Sequence, residues 1–393
     1  MKMIVDMADV TISPLQKKLV NECLDNNRLS YGKMTEKFER QWAKMHGVKY
    51  ALFCNSGTSA LQVAIHALKE RYNWKDGDEI LCPALTFIAS VNVILHNQMK
   101  PVFVDIESEY FSIDPNKIEE AITERTVAIM VVHLLGHPAL MDKIMKIARN
   151  HNLRIIEDAC EIVAATFDGQ PVGSFGDVSC FSTYASHLVV TGVGGFACTN
   201  NQDLAIKIKG LYNHGRDGVY HSIDDDDKDS IQMINKRFNF IHCGYSYRAT
   251  ELESALGIGH LKRFAKELKK RRDNALYLTE KLKDLEKLTY LRLPKIHPKA
   301  THSFMLYAVI LDCSIPRRQV LDYLEKHGIA TRYLMPLLNQ PIIKEIFGEI
   351  EDKYPVAQYI DYNAFLVGIH SGLGYKELDY LAKTIRDAIN IYR

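Results

Sequence analysis

Residues 177–199 read DVSCFSTYASHLVVTGVGGFACT. Val178 to Phe181 is an apolar run that predicts a strand, and Ser182 to Ser186 a short turn. His187 then stands ahead of the glycine run Gly192-Val193-Gly194-Gly195, which opens a second apolar run. Lacking a Cβ, glycine lets backbone N–H groups approach an anion closely. The same pattern also serves as a plain structural turn between strands, so its meaning depends on the flanking chain.

Upstream, Arg154 to Ile156 predicts a strand that ends in Glu157-Asp158-Ala159-Cys160-Glu161. A carboxylate at such an end either caps a helix or holds a cationic ring nitrogen by a charge-assisted bond. Farther back, strands alternate with helices: strand Glu79 to Cys82, helix Phe87 to His96, strand Pro101 to Val104, helix Ile113 to Ala121 and strand Ala128 to Val132. His137-Pro138 breaks the run before a helix from Met141 to His151. Tyr50 to Phe53 predicts a strand running into Cys54-Asn55-Ser56-Gly57-Thr58-Ser59-Ala60-Leu61 and a helix. Strand, small polar turn and helix N-terminus together form an anion site, or simply an N-cap by Ser56 or Thr58. Ser13 to Met45 reads as helices broken at Ser30-Tyr31-Gly32. The alternation predicts an α/β fold, a mainly parallel sheet with ligands at the carboxyl ends of its strands.

Downstream, Gly215 to Ile234 contains the run Asp224-Asp225-Asp226-Asp227-Lys228-Asp229 and reads as a solvated excursion near the site. His214 and Arg216, just before it, either grip a phosphate group or are exposed loop residues. A long amphipathic helix, Thr250 through Leu285, divides the chain into a large α/β domain (1–250), a connecting helix (251–288) and a smaller C-terminal α+β domain (289–393). In that last part we expect a strand from Ser303 to Leu311, a helix from Arg317 to His327, a loop through Pro336 and Pro341, and a final helix from Tyr375 to Tyr392. His370, ending an apolar strand, is expected to be a satisfied structural histidine.

Composition limits the function classes. With 393 residues, 47% hydrophobic and 25% charged, the chain can bury a large core. Its 49 basic and 48 acidic residues leave a formal charge of +1, so no general field attracts nucleic acid or an anionic membrane. No long apolar run or basic apolar leader is evident, which makes the cytoplasm the expected location. The eight cysteines are scattered without a C-x-x-C pair, which fits reduced, mostly buried thiols and no metal site.

Six motifs occur in order: SGTSAL from Ser56, PALTFIASVN from Pro83, PVFVDI from Pro101, EDACE from Glu157, GSFGDVSCFS from Gly173 and GYSYRATELESALG from Gly244. Over nearly the whole chain they resemble the DegT/StrS family of nucleotide-sugar aminotransferases, pyridoxal phosphate (PLP) enzymes of fold type I. The resemblance implies that the Gly57 and Thr58 amides and the Ser182 hydroxyl hold the cofactor phosphate, that Phe87 stacks on its ring, that Asp158 pairs with the ring nitrogen and that Glu161 lies near the ring's 3-hydroxyl. An asparagine of the family's G-Y-N-Y-R motif reaches the neighbouring subunit's cofactor, implying a homodimer with shared active sites. Here that position is the shorter Ser246.

At residue 187 the family has a lysine that anchors the cofactor covalently. A histidine has no primary amine and cannot, yet imidazole carries protons well near neutral pH. In this respect the chain is similar to the 3-dehydratases of nucleotide-linked 4-keto-6-deoxy sugars in deoxysugar biosynthesis, which bind the cofactor noncovalently, usually as pyridoxamine phosphate. The expected function is such a dehydratase with His187 as base, an amino-group donor such as glutamate and no iron–sulfur centre. TFIASVN at Phe87 and Asn213-His214-Gly215-Arg216 resemble the aminotransferases instead. That leaves open another reaction on a nucleotide sugar, an aminotransferase altered or engineered at the lysine position, and a noncatalytic cofactor- or sugar-binding homologue.

Overall fold

The computed structural model describes residues 3–217 and 238–393; the aspartate run 224–229 lies outside them. After helices α1 (Pro14–Asp25) and α2 (Lys33–His46), strand β1 (Tyr50–Cys54) leads into α3 (Gly57–Tyr72). Then come β2 (Glu79–Pro83), α4 (Ile88–His96), β3 (Lys100–Val104), α5 (Pro115–Ile118), β4 (Thr126–Val132), α6 (Met141–Asn150) and β5 (Arg154–Asp158). A small hairpin of β6 (Thr166–Phe167) and β7 (Gln170–Pro171) precedes β8 (Val178–Ser182), β9 (Gly195–Thr199) and α7 (Gln202–Tyr212). The helix α8 (Glu251–Lys287) is followed by β10 (Leu291–Arg292), β11 (Tyr307–Leu311), α9 (Arg317–Lys326), β12 (Thr331–Tyr333), α10 (Pro341–Phe347), α11 (Pro355–Asn363), β13 (Ala364–Val367) and α12 (Tyr375–Tyr392).

A seven-stranded sheet has the order β1-β9-β8-β5-β4-β2-β3. It is mainly parallel, as expected, with β9 running antiparallel to both β1 and β8. Its central strands are buried on both faces, which is why β4 (Thr126–Val132) reads as an unbroken apolar run after Thr126. A second, antiparallel sheet of order β10-β11-β13-β12 forms the smaller α+β part. The N-terminal Val5 bridges to Ile329 beside that second sheet. Helix starts follow local chemistry: Ser13 and Gln16 form a capping box on α1, as do Thr250 and Glu253 on α8.

Two expectations need correcting, and one left open is decided. The strand predicted from Ser303 begins only at Tyr307, because the Ser303 and Met305 amides bond the Gly136 and Leu135 carbonyls at 2.8 and 3.0 Å instead of a sheet neighbour. The loop through Pro336 and Pro341 contains α10, and Pro355 likewise opens α11; proline suits the first helical turn, where its missing N–H has no acceptor to lose. The glycine run takes the structural reading. Gly194 has φ +144°, and a Cβ on Gly195 would sit 2.4 Å from the Gly57 nitrogen, so these glycines let β9 press against the start of α3.

Candidate active site

The carboxyl ends of β5 and β8 and the first turn of α3 open on one cavity of about 400 Å³. Gly57, Thr58, Phe87, Asp158, Glu161, Ser182 and His187, seven residues singled out in the sequence, all line it. Met305 and Met335 from the smaller part close it, and no lysine or arginine lines it among the described residues.

At the α3 end, Ser56 is the N-cap, accepting the Ser59 amide at 3.0 Å. This leaves the first-turn amides at Gly57 and Thr58 without helical acceptors, next to the Ser182 hydroxyl. A Cβ on Gly57 would lie 2.7 Å from the Cys160 sulfur and 2.8 Å from the Ser182 Cβ, so only glycine lets α3 begin this close to β8. Phe87, at the N-cap of α4, lines the cavity and is 57% exposed.

Asp158 is 5% exposed. Its Oδ2 accepts the Ser90 hydroxyl at 2.7 Å and its Oδ1 the Cys160 amide at 3.2 Å, while Thr86 and Ser90 share a hydroxyl bond of 2.9 Å. No cation pairs with it among the described residues. Its neighbour Glu157 faces the other way, fully buried, and accepts the amides of Gly173, Phe175 and Gly176 at 2.7 to 2.9 Å. His133 Nε2 joins it at 3.1 Å, its Nδ1 accepting the Ala139 amide. That nest explains the G-S-F-G motif structurally. Glu161 is 8% exposed and accepts the Leu135 amide at 2.8 Å; burial, with the nearby Asp158 charge, pushes its carboxyl up to about 7.

His187 sits on the loop after β8. Its Nδ1 lies 2.6 Å from the Cys160 carbonyl, which can only accept, so Nδ1 carries the proton and Nε2 is the basic nitrogen. Burial holds the imidazole below its ordinary range, against the Cys160 bond and Asp158, which raise it. The ring is therefore neutral at neutral pH. Tyr184, half exposed in the cavity, stands edge-on to it with centroids 6.0 Å apart.

Three other candidates lie elsewhere. Ser246 bridges Asn213, and its hydroxyl accepts Arg248 Nη2 at 3.1 Å, the same group that lies 3.1 Å from His214 Nε2. Arg216 is buried, its guanidinium 5.8 and 5.5 Å from the Phe238 and Phe240 rings. None of the three lines the cavity. His370 is buried and lies outside the cavity, with the Asp6 backbone beside its ring. Five of the eight free cysteines are buried, while Cys243 and Cys313 are exposed. Among the described residues no cluster of three or more His, Cys, Asp or Glu could hold a metal, and no helix is long and apolar enough to cross a membrane. Thr86, Ser90 and the Leu135 amide escaped the sequence reading; only the motif containing Thr86 and Ser90 hinted at them.

Comparison with known proteins shows the family. Residues 11–386 match the DegT/DnrJ/EryC1/StrS aminotransferase family. The chain is 34% identical over 370 residues to the GDP-perosamine synthase of Caulobacter vibrioides, covering 93% of this chain and 92% of the relative. It is 29% identical over 391 residues to the GDP-4-keto-6-deoxy-D-mannose 3-dehydratase of Escherichia coli O55:H7, covering 97% and 99%. A solved structure of the E. coli GDP-4-keto-6-deoxy-D-mannose 3-dehydratase with bound hydrated PLP superposes with a TM-score of 0.89 at 28% identity, covering 98% of this chain and all of that one. The fold is thus the type I PLP-enzyme fold that the resemblance implied, and the relatives are enzymes. From motif order, cavity and matches together, the chain belongs to the DegT/DnrJ/EryC1/StrS aminotransferase family.

Proposed function

We propose that this enzyme is a 3-dehydratase of a nucleotide-linked 4-keto-6-deoxy sugar, holding pyridoxal or pyridoxamine phosphate noncovalently and using His187 as its base. The observation that carries the reading is the fixed tautomer of His187: a neutral imidazole on the cavity wall whose Nδ1–H is tied to the Cys160 carbonyl.

The residues present fit the cofactor. Asp158 is a buried carboxylate with two neutral donors and no cation, the partner a protonated ring nitrogen lacks. Phe87 offers an uncovered aromatic face, and the Gly57–Thr58 turn with Ser182 offers donors to a phosphate. Bound there, the cofactor would supply an amine for the sugar's 4-keto group and an electron-withdrawing ring. The protein's own work is then limited. Asp158 keeps a positive charge at the ring nitrogen, Phe87 fixes the ring plane, and Met305 and Met335 help exclude water. His187 Nε2 would accept a proton beside the cofactor amine and return it to the sugar's departing 3-hydroxyl, which would leave as water.

Glutamate is the proposed amine donor, a homodimer with shared sites the proposed assembly, and the cytoplasm the proposed location. Ser246, His214 and Arg216 would then serve the neighbouring subunit's cofactor or substrate, which accords with their position outside their own chain's cavity. A second reading, a nucleotide-sugar aminotransferase altered at residue 187, draws support from the 34% identity to a GDP-perosamine synthase. The two separate by product mass after incubation with PLP, glutamate and a panel of nucleotide-linked 4-keto-6-deoxy sugars. Loss of one sugar oxygen establishes the dehydratase, whereas gain of an amino group establishes the aminotransferase and sinks our first reading.

A further inference from the structure

The motif PVFVDI runs off the end of β3, and none of it lines the cavity. Its Asp105 is nevertheless only 3% exposed and holds four donors. Oδ1 accepts the Ile106 and Ala357 amides, each at 2.9 Å, while Oδ2 accepts the Val356 amide at 3.1 Å and Lys117 Nζ at 2.9 Å. Val356 and Ala357 stand 251 and 252 positions further along the chain, in the first turn of α11. The N-cap of that helix, Tyr354, makes no side-chain bond to its amides. Pro355 has no N–H to satisfy, and the Gln358 amide already bonds the Tyr354 carbonyl at 2.9 Å. Asp105 is therefore the cap of α11, a carboxylate from the large sheet at the positive end of a helix of the smaller part.

The far end of the same helix reaches toward the cavity. Asp361 on α11 is buried, and its Oδ2 accepts Asn339 Nδ2 at 2.6 Å. Asn339 lies in the loop that leaves β12, whose Leu334, Leu337 and Leu338 share one core with Ala357 and Ile360 of α11. In that loop Met335, which lines the cavity, sits at φ +41°. A bulky residue keeps such a backbone only where its surroundings impose it. Helix α11 also runs directly into β13, the strand that pairs with β12.

We propose that Asp105 is a positioning residue for the cavity: by capping α11 it fixes, through Asp361 and Asn339, the turn that brings Met335 to the cavity, and so sets how closely the smaller part covers it. Gly57, Thr58, Phe87, Asp158, Ser182 and His187 all come from the larger part and do not depend on this latch. It governs the entry of substrate and water rather than the hold on a cofactor. The inference goes beyond the function proposed above and does not rest on it, because it concerns what covers the cavity and not what reacts there.

The first test needs neither cofactor nor sugar. Hydrogen peroxide footprinting, read peptide by peptide by mass spectrometry, reports how often each methionine meets solvent. Asp105→Asn drops the charge and sets an amide NH2 against donors, so the cap weakens. Met335 should then oxidise about fivefold faster than in wild type, the scale of one lost helix cap, while the fully buried Met130 and Met141 keep their rates. Amide exchange should rise over 334–340 and 355–363 and stay unchanged over 154–187. Asn339→Ala, at a half-buried position, should reproduce the Met335 effect, and the double variant should oxidise no faster than Asp105→Asn alone. In the turning-over enzyme Asp105→Asn should raise KM for the sugar more than it lowers kcat. Unchanged Met335 oxidation in Asp105→Asn, or a rise matched by Met130 and Met141, would overturn the proposal. So would multiplying effects of the two substitutions, or a fall in kcat with KM unmoved. A wild-type Met335 rate in Asn339→Ala would also overturn it, and decides the matter should Asp105→Asn not fold. A protein inactive on every sugar would count against the proposed function alone.

Discussion

Asp158 and His187 face one cavity and are held in opposite ways. Around Asp158 the fixing is redundant: Ser90, itself bonded to Thr86, and the Cys160 amide bind the carboxylate, and Glu157 on the reverse face draws three further amides and His133 into the same strand end. His187 is held by one side-chain bond, to the Cys160 carbonyl. The floor that would recognise a planar cationic ring is therefore over-determined, while the base of the proposed reaction rests on one nitrogen. A substitution at residue 187 should therefore leave the Asp158 floor undisturbed.

Four substitutions test that contrast. The largest effect is expected from His187→Asn, which should lower turnover by ~10²–10⁴-fold while leaving cofactor affinity within a few-fold, read by single-turnover kinetics beside fluorescence titration. A joint loss of both would mean that the two walls are not separable. In the wild type the acid limb of turnover should lie below the ordinary histidine range, because burial keeps His187 neutral to lower pH.

Next comes Glu161→Gln. The Glu161 carboxyl is raised from its ordinary 4.5 to about 7, so its contribution is full below 4.5 and lost as pH rises through 7. At pH 8 the buried ion is a liability of about 3 kcal/mol, and the glutamine variant should melt higher than wild type there but not at pH 4. Equal melting shifts at both pH values would place the raised carboxyl in doubt.

Asp158→Asn removes the charge but keeps the shape, and should weaken cofactor binding by ~10–100-fold, the worth of a charged hydrogen bond. An unchanged affinity would make the Asp158 floor structural and collapse the comparison. Phe87→Ala is the mildest, about threefold to tenfold in affinity, as only stacking is lost. Its effect should appear in binding and not in proton transfer, which sharpens the division between the walls.

Much of this was readable in the chain itself. Strands β1, β2, β4, β5 and β8 are apolar runs stopped by polar turns, and function collects at those stops, so Ser56–Thr58, Asp158 and Ser182 stand out locally. His187 stood out only against the family's lysine. What stayed hidden depends on long-range contact. Ser90 meets Asp158 across 68 positions, and nothing in Thr86 or Ser90 alone signals it. Leu135 at φ +55° is a conformation its residue type does not advertise; the docking of Ser303 and Met305 imposes it. The same docking keeps Ser303–Met305 out of the sheet, because their amides bond Gly136, His302 and Leu135 instead. Ser246, His214 and Arg216 were legible as polar candidates, but their place outside the cavity is a matter of topology.

The central claim is that His187 moves the proton in the proposed reaction. Its most direct test uses pyridoxamine phosphate deuterated at the methylene carbon, bound to wild type and to His187→Asn with a nucleotide-linked 4-keto-6-deoxy sugar, following deuterium loss to solvent. The account predicts washout from the wild type and retention in the variant at equal cofactor occupancy. Washout at the same rate from both would contradict it, and the base would have to be sought elsewhere on the cavity wall.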